Sequence, residues 1–297
     1  MTQTRTDDRR GGTEERRGSL SRLLRDGPQA LAYAVSTKMF SPPRPGNRLL
    51  ESAHPYYVIQ NGPERRLDVW SGDPNGFHLL PLRSITYSVV RDDGPGTGTY
   101  LDYFLTLRHM YGEQPRTLLV GFGGGVIPYQ WKQVFGMDIE SVESDARVIE
   151  VARKFLPCTA GMSVVNGDGA EFVAKAAAAG RSYDIIIQDA CDMFDAPAGL
   201  FQEGFIRDAR AALSEKGVLS VNYWMSLRNL AMYGKYVGRL GKEFASVCRV
   251  ETRDAMNVIL VCSAMDREEM VGRISDSVSP EARDLPIVQS YLRMEPA

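Results

Sequence analysis

The chain has 297 residues, 43% of them hydrophobic and 24% charged, with a formal net charge of −2. That is the composition of an ordinary globular chain, long enough for one large domain with an appendage. No basic field exists to draw in nucleic acid or an anionic membrane surface, and neither is expected as a partner. The four cysteines, Cys158, Cys191, Cys248 and Cys262, form no Cys-x-x-Cys pair and no metal pattern with the three histidines, so reduced thiols in a cytoplasmic protein and no bound metal are expected. The charged first 18 residues do not read as a signal peptide, so none is expected, and no apolar run approaches the ~20 residues that span a bilayer.

Residues 1–18 mix arginines, acids and glycines with almost no apolar side chains, which predicts a disordered tail. Residues 19–54 form an extension. Leu20, Leu23 and Leu24 share one helical face, Leu31, Val35 and Met39 repeat every four residues, and a Pro-rich linker over 41–46 follows. Residues 55–98 read as a small antiparallel β domain, with strand-like runs at 56–60, 66–70, 77–80 and 84–90 and a Gly-rich loop at 92–98. A helix is expected from about Tyr100 to Met110, with Tyr100, Phe104 and Leu107 on one face.

From residue 117 strands and helices alternate. Strands are predicted at 117–120, 139–143, 163–166, 183–188 and 217–222, and helices at 126–135, 145–155, 169–179 and 203–214. Such alternation gives a parallel sheet covered on both faces. A helix over 230–244 and two closely linked strands, 246–251 and 257–263, then add an antiparallel pair. The expected fold is α/β over 99–297. It is the Rossmann-like sheet of class I S-adenosylmethionine-dependent transferases, with the small β domain in front.

Residues that carry chemistry fall at the ends of these strands. After the first comes the turn Gly121-x-Gly123-x-Gly125, which lets backbone approach a nucleotide with no side chain in the way. Val126 stands where a dinucleotide fingerprint would have glycine or alanine, which counts against NAD. Glu143 ends the second strand, where a carboxylate can accept from both ribose hydroxyls; otherwise it is a solvated strand-end acid. Asp145 reads as a helix N-cap. Asp168, between Gly167 and Gly169, has an adenine amino group as one candidate partner and a local turn as the other. Asp189 follows the apolar fourth strand, and Asp192 lies three residues on. A carboxylate at that place can orient an amine and take its proton, which an alkylamine with a pKa near 10 must lose before it attacks. Asn222, Tyr223 and Trp224 end the fifth strand and are candidate walls of an acceptor pocket, while Tyr100 is either a group closing over the donor or core. The histidines and Cys191 show no activating partner in sequence.

These residues resemble the spermidine synthase family, the polyamine aminopropyltransferases. The resemblance covers roughly 55–265 and rests on the β domain, the glycine turn, Glu143, the run Val-Ala-Arg-Lys-Phe-Leu-Pro over 151–157, Gly167-Asp168-Gly169, and above all 183–222 with its Asp189-to-Asp192 loop. It implies decarboxylated S-adenosylmethionine as donor, a small-molecule amine as acceptor and methylthioadenosine as by-product. Glu143 would then bind ribose and Asp168 adenine. Asp189 and Tyr100 would be catalytic, Gly121, Gly123, Gly125 and Gly169 would shape the donor site, and Asp192, Asn222 and Tyr223 the acceptor site. A homodimer through the β domain or the helix near 20–40 is the assembly the analogy suggests. The sequence departs from the family at Gly123, which stands where the family's Gly-Gly-Gly-Asp-Gly-Gly turn has the Asp that holds the donor's ammonium. Two alternatives stay open: a methyltransferase or 3-amino-3-carboxypropyl transferase using intact S-adenosylmethionine, and a non-catalytic nucleoside- or polyamine-binding protein.

Overall fold

The structure is a computed structural model. It describes residues 47–53, 56–62, 64–70, 84–91, 93–112, 114–156, 159–190, 197–225, 227–253 and 257–297. The tail, the two helices expected before residue 41, the Pro-rich linker and the strand expected at 77–80 all lie outside those residues. Two sheets are present among the described residues. The first is a four-stranded antiparallel meander in the order β1 (Asn47–Ala53), β2 (Tyr56–Asn61), β3 (Glu64–Trp70), β4 (Ser84–Arg91). β1 corrects the expectation that 47–53 belongs to the extension: it pairs antiparallel with β2 from Asn47↔Asn61 to Ala53↔Tyr56. The segment carries no clean alternation of its own, so its strand state is set by the neighbour it pairs with.

The second sheet holds β5 (Thr117–Val120), β6 (Glu140–Glu143), β7 (Val164–Asn166), β8 (Tyr183–Gln188), β9 (Leu213–Trp224), β10 (Ser246–Glu251), β11 (Asn257–Ser263) and β12 (Glu295–Pro296). Their order is β12-β10-β11-β9-β8-β5-β6-β7. β7, β6, β5, β8 and β9 are parallel, and β11 runs antiparallel between β9 and β10. β9 is longer than expected and takes residues 213–214 from the preceding helix, which ends at Ala212. Its polar stretch Ser214-Glu215-Lys216 hides the strand in the sequence. Pairing of Leu213 with Tyr183 of β8 is what extends it. β12, two residues paired with β10, carries no sequence signal of its own.

Both faces of this sheet are buried, which is why β5 and β8 read as continuous apolar runs. Ile185 and Ile187 face one core, formed with the 3-10 helix Tyr100–Met110, the helices Val126–Phe135 and Ala146–Phe155, and the C-terminal helices. Ile186 faces the other, with the helices Gly169–Ala178, Glu203–Ala212 and Leu227–Glu243. Val58, Leu67 and Val90 of the small sheet belong to the first core, so the meander packs onto the transferase sheet.

Candidate active site

The parallel register brings the strand ends to one edge. Val120 is level with Gln188 on one side and Val142 on the other, Glu143 with Asn166, and Gln188 with Val221. The glycine turn, Glu143, Asp168, Asp189 and Asn222 therefore lie along one rim, where open α/β sheets bind ligands.

The turn is built by close approach. Gly121 has φ +99°, and a Cβ there would sit 2.6 Å from the Ala190 nitrogen. Gly125 has φ +72° and caps the following helix, and a Cβ there would meet the Phe122 ring at 2.7 Å. Gly123 (φ +52°) is half-buried. The Gly124 N–H donates to Ser88 Oγ at 2.6 Å, so a buried hydroxyl from β4 pins the turn to the small sheet. Sequence reasoning missed Ser88. Its only signal is a polar residue between apolar neighbours on a strand.

Glu143 lies beneath the turn. Its Oε2 accepts from the N–H groups of Phe122 and Gly123, both at 3.1 Å. Its Oε1 accepts from the Asp145 N–H at 3.1 Å and, more weakly, from Ser144 Oγ at 3.4 Å. The carboxylate is thus already oriented by the backbone around it. Asp145 is the N-cap expected, accepting from the Arg147 N–H at 2.9 Å. Asp168 also caps a helix, its Oδ1 accepting from the Glu171 N–H at 2.9 Å, and the residue is exposed on the rim. Gly169 lets that helix approach β5: a Cβ there would lie 2.5 Å from Val120 Cγ1.

Asp189 continues β8, and its N–H donates to the Val120 carbonyl at 2.9 Å. Asn222 Nδ2 donates to Asp189 Oδ1 at 2.8 Å, and the Tyr100 hydroxyl reaches Oδ2 at a long 3.5 Å. Burial pushes the Asp189 carboxyl up to about 7, against the pull of these two hydrogen bonds toward the ionised form. A carboxyl titrating there can take a proton at neutral pH.

Tyr100 is held from behind. Asp102, two residues on, accepts from the Thr97 N–H (2.8 Å), the Thr97 hydroxyl (2.7 Å), the Gly98 N–H (2.8 Å) and Gln130 Nε2 (2.5 Å). Gln130 Nε2 also donates to the Pro95 carbonyl at 2.9 Å. The loop before Tyr100 is thereby fixed to the helix that follows the glycine turn.

Tyr223 does not join the site. It is 2% exposed, stacks on Tyr236, and donates its hydroxyl to the Asn229 carbonyl at 2.6 Å. Strand alternation sends it to the face opposite Asn222, where it packs in an aromatic cluster with Phe201 and Tyr233. Asp192 and Cys191 lie outside the described residues. Among the described residues, no helix is long and apolar enough to cross a membrane.

This strand order and rim of acids define a class I S-adenosylmethionine-dependent transferase fold. Solved structures agree at the level of fold. Spermidine synthase from Thermotoga maritima aligns with a TM-score of 0.53 at 21% identity, covering 80% of this chain and 79% of that one. Human methyltransferase-like protein 13, solved with SAH, aligns at 0.54 and 20% identity, covering 67% and 94%. The Spermine/spermidine synthase domain matches residues 109–260, just over half of the chain, and the chain belongs to that family. A polyamine aminopropyltransferase of Clostridium botulinum is 38% identical over 109 residues, 34% of this chain and 37% of that protein. A spermine synthase of Saccharomyces cerevisiae is 33% identical over 129 residues, 39% and 43% of the two chains. The matched stretches span less than half the length of these curated relatives.

Proposed function

We propose that the protein is a cytoplasmic transferase that moves an aminopropyl group from decarboxylated S-adenosylmethionine to a small-molecule amine. The observation that carries this reading is Asp189. It is a carboxyl raised to about 7 at the end of a central strand, bonded to Asn222 and next to Gly121, where a Cβ would meet the Ala190 backbone. The residues fit such a donor. Gly121 and Gly125 let the turn pack tightly against the Ala190 backbone and the Phe122 ring, Glu143 is oriented under it, and Asp168 is exposed beyond it. To accept ribose hydroxyls, Glu143 would give up its weak Ser144 contact first.

The donor supplies a sulfonium whose positive charge already activates the carbon to be transferred. Asp189 does the remaining work. It orients the acceptor ammonium, takes one proton from it, and leaves a lone pair on nitrogen. The new C–N bond then forms as the C–S bond breaks, and sulfur keeps the electron pair. Asn222 and Tyr100 keep the carboxylate ionised and aimed, while partial burial keeps it basic enough to accept the proton.

Gly123 favours a second reading. Without a carboxylate at that position nothing there holds an ammonium or repels a donor carboxylate, which suits intact S-adenosylmethionine used for methyl or 3-amino-3-carboxypropyl transfer. One assay separates the readings. The protein is incubated with either donor and a panel of di- and polyamines, and the nucleoside products are resolved by chromatography and mass spectrometry. Methylthioadenosine from the decarboxylated donor supports aminopropyl transfer. S-adenosylhomocysteine from the intact donor means methyl transfer, and methylthioadenosine from the intact donor means aminocarboxypropyl transfer. Tight donor binding with no product from any pair leaves only a binding protein.

A further inference from the structure

β11 begins where β9 ends. The two are antiparallel, and Asn257, the first residue of β11, lies opposite Trp224 at the rim of the parallel strands. A polar side chain thereby arrives beside Asn222 at a position where the sequence shows only the start of an apolar strand. Asn257 Nδ2 donates to Asn222 Oδ1 at 2.8 Å, and Asn222 Nδ2 donates to Asp189 Oδ1 at 2.8 Å. The Thr252 hydroxyl donates to the Asn257 carbonyl at 2.7 Å and fixes the start of the strand.

We propose that Asn257 is a positioning residue: by donating to Asn222 Oδ1, it holds the Asn222 amide in the orientation that turns its N–H toward the Asp189 carboxylate. A primary amide is nearly symmetric in shape, so rotation by 180° exchanges oxygen and nitrogen at almost the same places. Its neighbours decide which way it lies. Flipped, Asn222 would set its oxygen against a carboxylate oxygen and its NH2 against the NH2 of Asn257. With the Asn257 amide oriented as it stands, the wrong orientation of Asn222 is unfavourable at both ends of its amide instead of one, and hydrogen bonds in such a chain strengthen one another.

The effect falls on the Asp189 proton. A hydrogen bond donated to a carboxylate favours its ionised form, and that of Asn222 is the larger of the two that oppose burial at Asp189. Among the described residues the groups that act on this carboxyl are the Asn222 amide from β9 and the Tyr100 hydroxyl from the 3-10 helix. Among the described residues, β5 and the turn after it contribute the backbone of Val120 and Gly121. Asn257 reaches the carboxyl through Asn222 alone.

The test reads the proton directly and needs no turnover. The full chain, labelled with carbon-13 at aspartate carboxyls, is titrated by NMR, and the Asp189 signal is identified by its loss in Asp189→Asn. Asn257→Leu removes the donor while keeping the branched shape of the side chain and adds no charge. The expected result is a rise of the Asp189 midpoint by about one pH unit, the size of one charge-assisted hydrogen bond lost. An unchanged midpoint in the folded leucine variant overturns the proposal. Should that variant fail to fold, Asn257→Ala decides by the same shift. The inference bears on the transfer reaction through Asp189 only. A chain that transfers nothing still shows or lacks the shift, so its failure is distinct from a failure of the functional reading.

Discussion

Asp189 and Asn222 meet at 2.8 Å although 33 positions separate them in the chain. The register of β8 against β9 makes the pair. Gln188 is level with Val221, so the next residue of each strand falls at the same height on the same face. The position of the candidate base is thus set by two buried apolar strands, which hold it more rigidly than a loop would.

Burial of Asp189 has a cost that depends on pH. Its carboxyl binds a proton more tightly folded, at about 7, than unfolded, near its ordinary 3.8. Between those values the native state holds more protons, so stability falls as pH rises and is lowest above about 7. Asp189→Asn removes this penalty. Urea unfolding is expected to show the variant more stable than wild type at pH 8, by up to about 4 kcal/mol, with the gain fading toward pH 4. Transfer activity should fall by ~100-fold or more in the same variant, the scale of a lost general base.

Gly121→Ala is expected to destabilise by about 3 kcal/mol or more, because a left-handed φ is strained for alanine and its Cβ meets backbone at 2.6 Å. Gly136→Ala is the comparison. It shares a positive φ (+67°) but opens onto free space, and should cost only about 1–2 kcal/mol. Thermal unfolding of both variants checks the difference. Equal losses would mean that the backbone approach at Ala190 relaxes freely.

Glu143→Gln keeps an acceptor but sets an NH2 against backbone N–H groups that the carboxylate now receives. Calorimetric titration with methylthioadenosine should give affinity lower by about 10- to 100-fold, the scale of losing one or two charge-assisted hydrogen bonds. Asn166→Ala removes contacts to the Glu143 and Ser144 carbonyls at the same rim without touching the carboxylate, and should change affinity far less.

Gly123→Asp introduces the acid that the family resemblance leads one to expect at this place. The left-handed φ of +52° is one that aspartate tolerates better than most residues. The variant should bind decarboxylated S-adenosylmethionine over the intact form by about 10-fold more than wild type does, since a new carboxylate attracts the ammonium and repels the donor's carboxylate. Unchanged selectivity in titration calorimetry would place the donor's tail away from residue 123.

The order of β5 to β11, the glycine turn, and the acids at 143, 168 and 189 are legible in the chain because each is a local signal. Buried parallel strands read as apolar runs, and a strand that ends at a turn marks its own rim. The cap at Asp145 is local in the same way. The strand Asn47–Ala53, the full length of β9 and the short β12 are not legible, since each is a strand only by virtue of the partner it pairs with. Nor is the fate of Tyr223: sequence places it next to Asn222, and alternation buries it on the opposite face.

The sequence by itself thus determined the fold class and which strand ends carry Glu143, Asp168, Asp189 and Asn222. Only the tertiary structure decided how those residues act. Ser88 reaches the glycine turn from another sheet, Asp102 fixes the loop before Tyr100, and Asn257 sets the Asn222 amide from an antiparallel neighbour. The first and last of these contacts join distant segments through polar side chains. Hydrophobic periodicity specifies which faces are buried, but not which polar atoms meet once they are.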